Sequence, residues 1–172
     1  MKNAAATASI KALALDVDGV LTDGGFYWGP NGEEWKRFCF ADVMGVSLAR
    51  KAGLIVALIS GEDSPLVSRY ARKLGITDVE TQCTDKAQAV RHLAGRHGIV
   101  PLEVCFMGDD VNDLSAMDIC GLAAAPADAR QIVLDRADFV TASPGGNGAV
   151  RELIDVLLAD SNRSRILTRQ TH

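Results

Sequence analysis

The stretch Ile10-Lys-Ala-Leu-Ala-Leu-Asp-Val-Asp-Gly19 joins an apolar run to two closely spaced aspartates. Its Ala-Leu-Ala-Leu run is apolar without alternation, which is typical of a strand buried on both faces of a parallel sheet. Asp16 and Asp18 follow directly, at the strand end where parallel sheets bind their ligands. One carboxylate can attack while the other gives or takes a proton. An Asp-rich turn after a strand is also common, so the pair alone is only a candidate catalytic site.

Further apolar runs along the chain have the length of buried strands. They alternate with segments whose apolar residues recur at spacings typical of one helix face. Strands alternating with helices predict an α/β fold, a three-layer Rossmann-like parallel sheet with helices on both faces. The predicted strands are residues 10–17, 54–59, 78–81, 104–107, 121–124 and 138–141, and the predicted helices are residues 43–51, 65–74, 86–97, 111–117 and 150–158.

An acidic segment follows the predicted strand at residues 104–107. Asp109 lies at the end of that strand and Asp113 comes one helical turn later, so their carboxylates can converge on one point. Hard oxygen ligands grouped in this way suit Mg²⁺. Helix capping would account for one of these acids but not for the group. The segment therefore predicts a magnesium site.

Two further groups fit a phosphate ligand. Ser60 and Gly61 end another buried strand, where a hydroxyl and a backbone amide can hydrogen-bond phosphoryl oxygens. The alternative for Ser60 is an ordinary helix N-cap. Lys86 starts a predicted helix, where its charge opposes the helix dipole. That position favours a functional cation, which offsets the nearby acids and a bound phosphate.

One segment interrupts the alternation of strands and helices. Residues 24–40 read as two short strands around Gly29-Pro-Asn-Gly32, a sequence typical of a turn, and predict a projecting β-hairpin. The hairpin holds six of the chain's nine aromatic residues, more than a small hairpin buries by itself. We expect it to pack on another subunit. The alternative is a hairpin that folds back on its own domain.

Composition narrows the function further. The 172 residues suit one domain, and a net charge of −4 argues against a nucleic-acid or anionic-membrane partner.

None of the four cysteines forms a C-x-x-C pair, so they are predicted to be core residues in a reducing compartment. No apolar stretch has the length of a signal peptide core or a membrane span, which predicts a cytoplasmic protein. The polar, Arg-containing tail at residues 161–172 is predicted to be either frayed or a partner-binding arm.

Taken together, these segments resemble the haloacid dehalogenase superfamily of phosphotransferases. The similarity spans residues 10–158, and it implies a single phosphatase domain over residues 1–172. No gap between the motifs is long enough for a large inserted domain, so the chain resembles the capless members. The four motifs of the superfamily correspond in order to Asp16 with Asp18, to Ser60, to Lys86, and to Asp109 with Asp113.

This resemblance implies a mechanism. Asp16 becomes phosphorylated, and Asp18 protonates the departing oxygen and then deprotonates the water that releases phosphate. Mg²⁺ is expected on Asp16, the backbone carbonyl of Asp18, and Asp109, with Asp113 in support. Lys86 offsets the negative charge of the site. The alternative from another class is a non-catalytic assembly module on the same fold, although such modules usually lose the nucleophile.

Within the superfamily, the chain is most similar to the 3-deoxy-D-manno-octulosonate (KDO) 8-phosphate phosphatases and their sialic-acid-type relatives. The similarity rests on residues 16–24, 108–113 and 145–152 and on the hairpin. It implies a phosphorylated 3-deoxy-2-ulosonic acid as substrate, with KDO 8-phosphate preferred. It also implies a homotetramer formed through the hairpins, in which a neighbour closes each active site.

Glu62 departs from the octulosonate pattern, which usually has arginine after the Ser60-Gly61 pair. A carboxylate cannot bind the substrate's own carboxylate directly, although it can accept hydrogen bonds from sugar hydroxyls or an amide. Glu62 therefore resembles the variant expected in an N-acylneuraminate 9-phosphate phosphatase, the alternative function. Thr22 is a further candidate for substrate contact. The Gly145-Gly-Asn-Gly148 loop and Arg151 either shape the substrate end of the pocket or cap the last helix.

Overall fold

The computed structural model describes residues 9–159, and a six-stranded sheet forms its centre. All neighbouring strands in this sheet are parallel. The strands are β1 (Ala12–Leu15), β4 (Ile55–Ile59), β5 (Asp78–Glu80), β6 (Val104–Met107), β7 (Leu122–Ala125) and β8 (Phe139–Val140). Their order across the sheet is β5-β4-β1-β6-β7-β8. The parallel sheet predicted from the apolar runs is confirmed.

Helices cover both faces of the sheet, because successive strand residues point to opposite sides. Leu13 and Leu15 pack into a core under α1, α2 and α6, whereas Ala12 and Ala14 pack into a second core under α3, α4 and α5. The helices are α1 (Phe40–Lys51), α2 (Pro65–Leu74), α3 (Lys86–Arg96), α4 (Leu114–Met117), α5 (Gln131–Arg136) and α6 (Ala149–Ala159), with short 3₁₀ turns at Pro101–Glu103 and Val111–Asp113. The three-layer architecture is therefore also confirmed.

The strand register aligns the ends of β1, β4 and β6. Leu15 pairs with Leu58 on one side and with Met107 on the other. The chain fills one side of the sheet from β1 through β4 and β5, and then crosses over to β6, β7 and β8. The end of β1 is therefore the point where the strand order reverses, and open α/β sheets bind ligands in the crevice at such a point.

Side chains cap the helices that surround this edge. Ser64 accepts a hydrogen bond from the Leu66 amide at the start of α2, and Asp85 accepts one from the Gln88 amide at the start of α3. Asp42, buried in α1, accepts from the Arg151 amide at 2.8 Å and so satisfies the first turn of α6. Burial raises the pKa of Asp42 against the opposing effect of its hydrogen bonds.

The predicted β-hairpin is present between β1 and α1. Its strands, β2 (Tyr27–Trp28) and β3 (Glu34–Trp35), pair in antiparallel fashion, and the Gly29 amide donates to the Glu33 carbonyl at 2.8 Å. Phe38 folds back and stacks on Tyr70 with ring centroids 4.5 Å apart. The other five aromatic residues are exposed, namely Phe26, Tyr27, Trp28, Trp35 and Phe40. Folding back on the same domain therefore accounts for one ring of the six.

Other predictions differ in detail. Helix α5 was not predicted, because its apolar positions are too few to show a helical repeat, and the predicted helix at 111–117 divides into a 3₁₀ turn and α4. Between residues 9 and 159 the hairpin is the insert after β1, and no segment there forms a cap domain. All four cysteines are free thiols. In the same range, no helix combines the length and apolar character that a bilayer crossing requires. The predicted tail at 161–172 lies outside the described residues.

Candidate active site

A cavity of about 450 Å³ opens at the carboxyl end of β1. Its lining is strongly acidic, and Arg130 is the one cationic side chain among the described residues that line it. Neutralising so many carboxylates requires cations from the protein or from a ligand. The lining carboxylates belong to Asp16, Asp18, Asp23, Glu62, Asp109, Asp110 and Asp128.

Lys86 supplies the first of these cations from below the cavity. Its Nζ lies 2.9 Å from Asp16 Oδ1 and 2.6 Å from Asp113 Oδ1, and its side chain is 1% exposed. Burial alone would lower the pKa of Lys86, but the carboxylates of Asp16 and Asp113 outweigh burial and raise it. Lys86 is therefore a fixed positive charge between Asp16 and Asp113.

The acids around Lys86 remain short of positive charge. Burial raises the pKa of Asp16 to about 7, with the Asp113 carboxylate adding to the shift and Lys86 opposing it. Burial likewise raises the pKa of Asp109 to about 8, with further contributions from Asp16 and Asp113. One lysine does not compensate three clustered carboxylates, and a further cation at this point would stabilise their ionised forms.

Asp113 organises the loop that carries Asp109. Its Oδ2 accepts hydrogen bonds from the Asp109 amide at 2.9 Å and the Asp110 amide at 3.1 Å, while its Oδ1 holds Lys86. Gly108 makes this arrangement possible, because a Cβ there would lie 2.4 Å from Cγ of Asp113. Both oxygens of Asp113 are thus used within the protein, and Asp109 is left to face the cavity.

The residues at this point fit a divalent metal ion. Asp16, Asp109 and Asp113 each offer a carboxylate oxygen, and these three atoms lie within 4.8 Å of one another. Asp109 Oδ1 is buried without a hydrogen-bond partner. Gly19 allows Asp109 to approach the β1 loop, since a Cβ there would lie 2.1 Å from Asp109 Oδ2. An all-oxygen donor set with an unsatisfied buried carboxylate suits Mg²⁺.

Asp18 lines the cavity next to Asp16, and a hairpin residue holds it. Lys36 Nζ donates to Asp18 Oδ1 at 2.7 Å, whereas Asp18 Oδ2 is buried without a partner. The Lys36 side chain is 0% exposed, and its Nζ lies 5.1 Å from the centroid of the Phe26 ring. Sequence reasoning missed Lys36, because it belongs to the projecting hairpin and not to the edge of the parallel sheet where the other site residues were predicted.

The segment after β4 borders the cavity from the side opposite Asp109. Ser60 is fully buried, and its Oγ accepts a hydrogen bond from the Glu62 amide at 3.1 Å. This bond shapes the turn that presents Gly61 and Glu62 to the cavity. The predicted contact of Ser60 with phosphate stays a prediction, and its observed role is to hold the turn.

Three other candidates lie away from the cavity. The Thr22 hydroxyl is buried and accepts hydrogen bonds from the Gly19 and Gly24 amides, so the β1 loop itself uses it. The Gly146 amide donates to the Val20 carbonyl at 2.9 Å, which packs the 145–148 loop behind the same segment. Arg151 pairs with Asp155 on α6. Thr22 and Arg151 are therefore engaged within the protein, and their predicted contact with substrate stays a prediction. The 145–148 loop does not line the cavity.

Comparisons with known proteins agree with this geometry. A family model for haloacid dehalogenase-like hydrolases matches residues 49–153. The 3-deoxy-D-manno-octulosonate 8-phosphate phosphatase of Escherichia coli strain K12 is 43% identical over 150 residues, which cover 87% of this chain and 80% of that protein.

Solved structures of such phosphatases are similar over nearly the whole chain. The enzyme of Moraxella catarrhalis, in complex with a magnesium ion, a phosphate ion and a KDO molecule, is 33% identical with a TM-score of 0.92, and covers 97% of each chain. The cobalt-bound form of the enzyme from Haemophilus influenzae is 35% identical with a TM-score of 0.89, and covers 96% of each chain.

Proposed function

This chain belongs to the haloacid dehalogenase-like hydrolases and is a phosphoric monoester hydrolase, and from that premise we propose that it hydrolyses KDO 8-phosphate to KDO and phosphate. The observation that carries the proposal is the convergence of Asp16, Asp18 and Asp109 on one cavity at the end of β1, with Lys86 in contact with Asp16. The similarity to an enzyme in complex with magnesium, phosphate and KDO supports the substrate class.

Asp16 acts as the nucleophile in the proposed reaction. Lys86 holds one of its oxygens, and the carboxylate is largely buried where it lines the cavity. An oxygen of Asp16 forms a bond to phosphorus as the bond between phosphorus and the sugar oxygen breaks, which gives an aspartyl phosphate. Asp18 donates a proton to the departing sugar oxygen. Asp18 then takes a proton from the attacking water, which releases phosphate and regenerates Asp16.

Mg²⁺ is the proposed cofactor, held by Asp16, Asp109 and the backbone carbonyl of Asp18. When bound, it supplies the positive charge that lets a carboxylate approach a phosphate dianion. Asp113 supports the site indirectly, because its two oxygens hold Lys86 and the amides of the Asp109 loop. Gly61 and Ser60 are the proposed phosphate contacts on the other side of the cavity.

A second substrate is favoured by one observation. Glu62 lines the cavity with its side chain 50% exposed, which places a negative group where a sugar acid would enter. Repulsion between carboxylates disfavours direct contact with the substrate's acid group, while the hydroxyl or amide groups of a longer sugar can donate to Glu62. An N-acylneuraminate 9-phosphate is therefore the alternative substrate.

We also propose a homotetramer that assembles through the hairpins. Five exposed aromatic rings, four on the hairpin and Phe40 at the start of α1, provide apolar surface of the kind that marks a protein interface. Trp28 and Phe40 are the most exposed of these rings, at 73% and 72%. A neighbouring subunit that covers them would also lie near the mouth of the cavity, because Phe26 of the same hairpin lines it.

The test measures phosphate release in the presence of Mg²⁺ from KDO 8-phosphate and from N-acetylneuraminate 9-phosphate. We expect faster turnover of the eight-carbon acid and no turnover of either by Asp16→Asn. A preference for the nine-carbon acid would identify Glu62 as a specificity residue and the alternative substrate as the correct one. Absence of any phosphatase activity in the wild-type protein would favour the non-catalytic module.

A further inference from the structure

Lys36 forms a buried ion pair with the acid–base residue from outside the central sheet. It follows β3 of the hairpin, yet its Nζ lies 2.7 Å from Asp18 Oδ1. No part of its side chain is exposed to solvent. Burying a lysine is unfavourable unless close carboxylates compensate the charge, so the contact with Asp18 is a specific feature of this fold.

The surroundings of Lys36 fix its ammonium group in one place. Besides Asp18, the carboxylates of Glu34 and Glu62 lie 3.9 Å and 4.0 Å from Nζ. Phe26 covers the ammonium from the cavity side at 5.1 Å. Three acids and an aromatic ring therefore surround the lysine, and only the bond to Asp18 has the length of a strong charge-assisted hydrogen bond.

This bond makes the two oxygens of Asp18 different. Oδ1 is engaged by Lys36, whereas Oδ2 is buried and has no partner among the described residues. A general acid must present one oxygen to the leaving group within hydrogen-bond reach. With Oδ1 held, rotation of the Asp18 carboxylate is restricted, and Oδ2 is the oxygen left to exchange a proton with the substrate.

We propose that Lys36 is a positioning residue, through which the hairpin orients Asp18 for proton transfer to the leaving oxygen. The inference rests on the phosphatase function proposed above. As the bond between phosphorus and the sugar oxygen breaks, the proton on Asp18 Oδ2 passes to that oxygen and leaves a carboxylate. The carboxylate then receives a proton from the water that attacks the aspartyl phosphate. Lys36 itself forms no bond to the substrate.

Two esters that differ in their need for an acid test the inference. The oxygen of a sugar alcohol leaves poorly without a proton, whereas p-nitrophenolate leaves as a stable anion. We expect Lys36→Met to lower the single-turnover rate of leaving-group release from the sugar-acid phosphate by about 10²-fold, the size expected when a catalytic group is misplaced. For p-nitrophenyl phosphate, we expect the same rate to fall by less than about threefold, because aspartyl phosphate formation there needs little acid assistance. Single-turnover release excludes the later hydrolysis of the aspartyl phosphate, a step that is common to both esters.

Matched variants separate positioning from a general loss of structure. Lys11→Met removes an ion pair of 2.6 Å with Glu103 at the other end of β1, and should leave both rates unchanged. Lys36→Arg, which keeps the charge and the donor, should restore much of the rate with the sugar-acid phosphate. Should Lys36→Met not fold, Lys36→Gln carries the same expectation of a selective loss.

Coupling to Asp18 completes the test. In an Asp18→Asn background, Lys36→Met should cost no further activity toward the sugar-acid phosphate, because the oriented group is already absent. An equal loss in the rate of leaving-group release from both esters, or full additivity with Asp18→Asn, would overturn the inference and leave Lys36 as a structural ion pair. A wild-type protein that hydrolyses neither ester would instead refute the proposed function, and this outcome is seen before any variant is compared.

Discussion

Two lysines hold the two aspartates of the β1 loop, and they come from different regions of the molecule. Lys86 starts α3, which packs on the central sheet, and contacts Asp16. Lys36 follows the second of the two short hairpin strands and contacts Asp18. Both lysine side chains are buried, but their partners differ. Asp113, the second partner of Lys86, is fully buried, while the side chain of Asp18 is 23% exposed.

The difference suggests a division between a fixed and an adjustable part of the site. The proposed nucleophile Asp16 and its partner Lys86 belong to the packed edge of the sheet, where the end of β1 and the start of α3 position the two side chains. The acid–base residue depends on a segment with few buried contacts, and such segments are the ones that open or shift most readily. A neighbour packed on the exposed hairpin aromatics would then stabilise the position of Asp18 as well.

The first prediction compares the two ion pairs by their stability. Lys86→Met removes the cation that two buried carboxylates share, and we expect the free energy of unfolding to fall by about 3–5 kcal/mol, the usual cost of breaking a buried pair. Lys36→Met should cost only about 1 kcal/mol, because Asp18 can turn toward water in the open cavity. Urea unfolding of both variants in EDTA, beside wild type, measures the two values.

A fall of equal size in the two variants would break the comparison, since the hairpin ion pair would then be as much a part of the core as the sheet-edge pair. Lys11→Met serves as the control here too, because its ion pair with Glu103 is half exposed. Exposed pairs contribute about 0–1 kcal/mol, so this variant sets the lower limit of the scale.

The second prediction concerns metal removal and pH. In the metal-free protein the pKa of Asp16 is raised to about 7 and that of Asp109 to about 8, from an unfolded value of 3.8. The folded state therefore holds more protons than the unfolded chain. The stability that these protons contribute is fully present below the unfolded pKa and is lost as the pH rises through about 7 to 8.

Mg²⁺ should reverse this loss, because it stabilises the ionised carboxylates. At about 100 times its Kd, Mg²⁺ adds about 2.7 kcal/mol to the free energy of unfolding. At one fixed Mg²⁺ concentration, the gain should be larger at about pH 8.5 than at about pH 6, because protons compete with the metal for the carboxylates. Urea unfolding with Mg²⁺ or EDTA at the two pH values provides the measurement. Asp109→Asn should remove the gain and Lys36→Met should keep it. A metal effect that disappears in Lys36→Met would show that the two regions are not separate.

The same division explains what could be predicted from the sequence. Asp16, Lys86 and Asp109 each follow a strand or start a helix, so the period of the apolar pattern places them at one edge of a parallel sheet. The sheet, its layers and the acidic cluster were predicted for that reason. The contacts of Asp113 with the amides of its loop depend on exact backbone geometry, which no periodicity encodes.

Lys36 and Thr22 show where sequence reasoning stops. The contact of Lys36 with Asp18 depends on how the hairpin packs against the β1 loop. This is a tertiary contact between residues 18 positions apart in the chain. Thr22 was a candidate for substrate contact, and the loop curls so that its hydroxyl accepts hydrogen bonds from the Gly19 and Gly24 amides. A hydroxyl close to a site in sequence can satisfy local backbone donors instead.

The last and smallest effect on the fold is expected at the tip of the hairpin. Trp28→Ser removes a ring that is 73% exposed, so the free energy of unfolding of a single chain should change by less than about 0.5 kcal/mol. The native mass should nevertheless fall from that of a tetramer toward smaller species, because the proposed interface loses a large aromatic contact. Leu102→Ser, which removes an apolar side chain 66% exposed outside the hairpin, should leave the mass unchanged. If Trp28→Ser keeps the wild-type mass, or if Leu102→Ser dissociates equally, the hairpin is not the assembly surface. A different partner would then have to cover the exposed rings that distinguish the hairpin from the sheet edge.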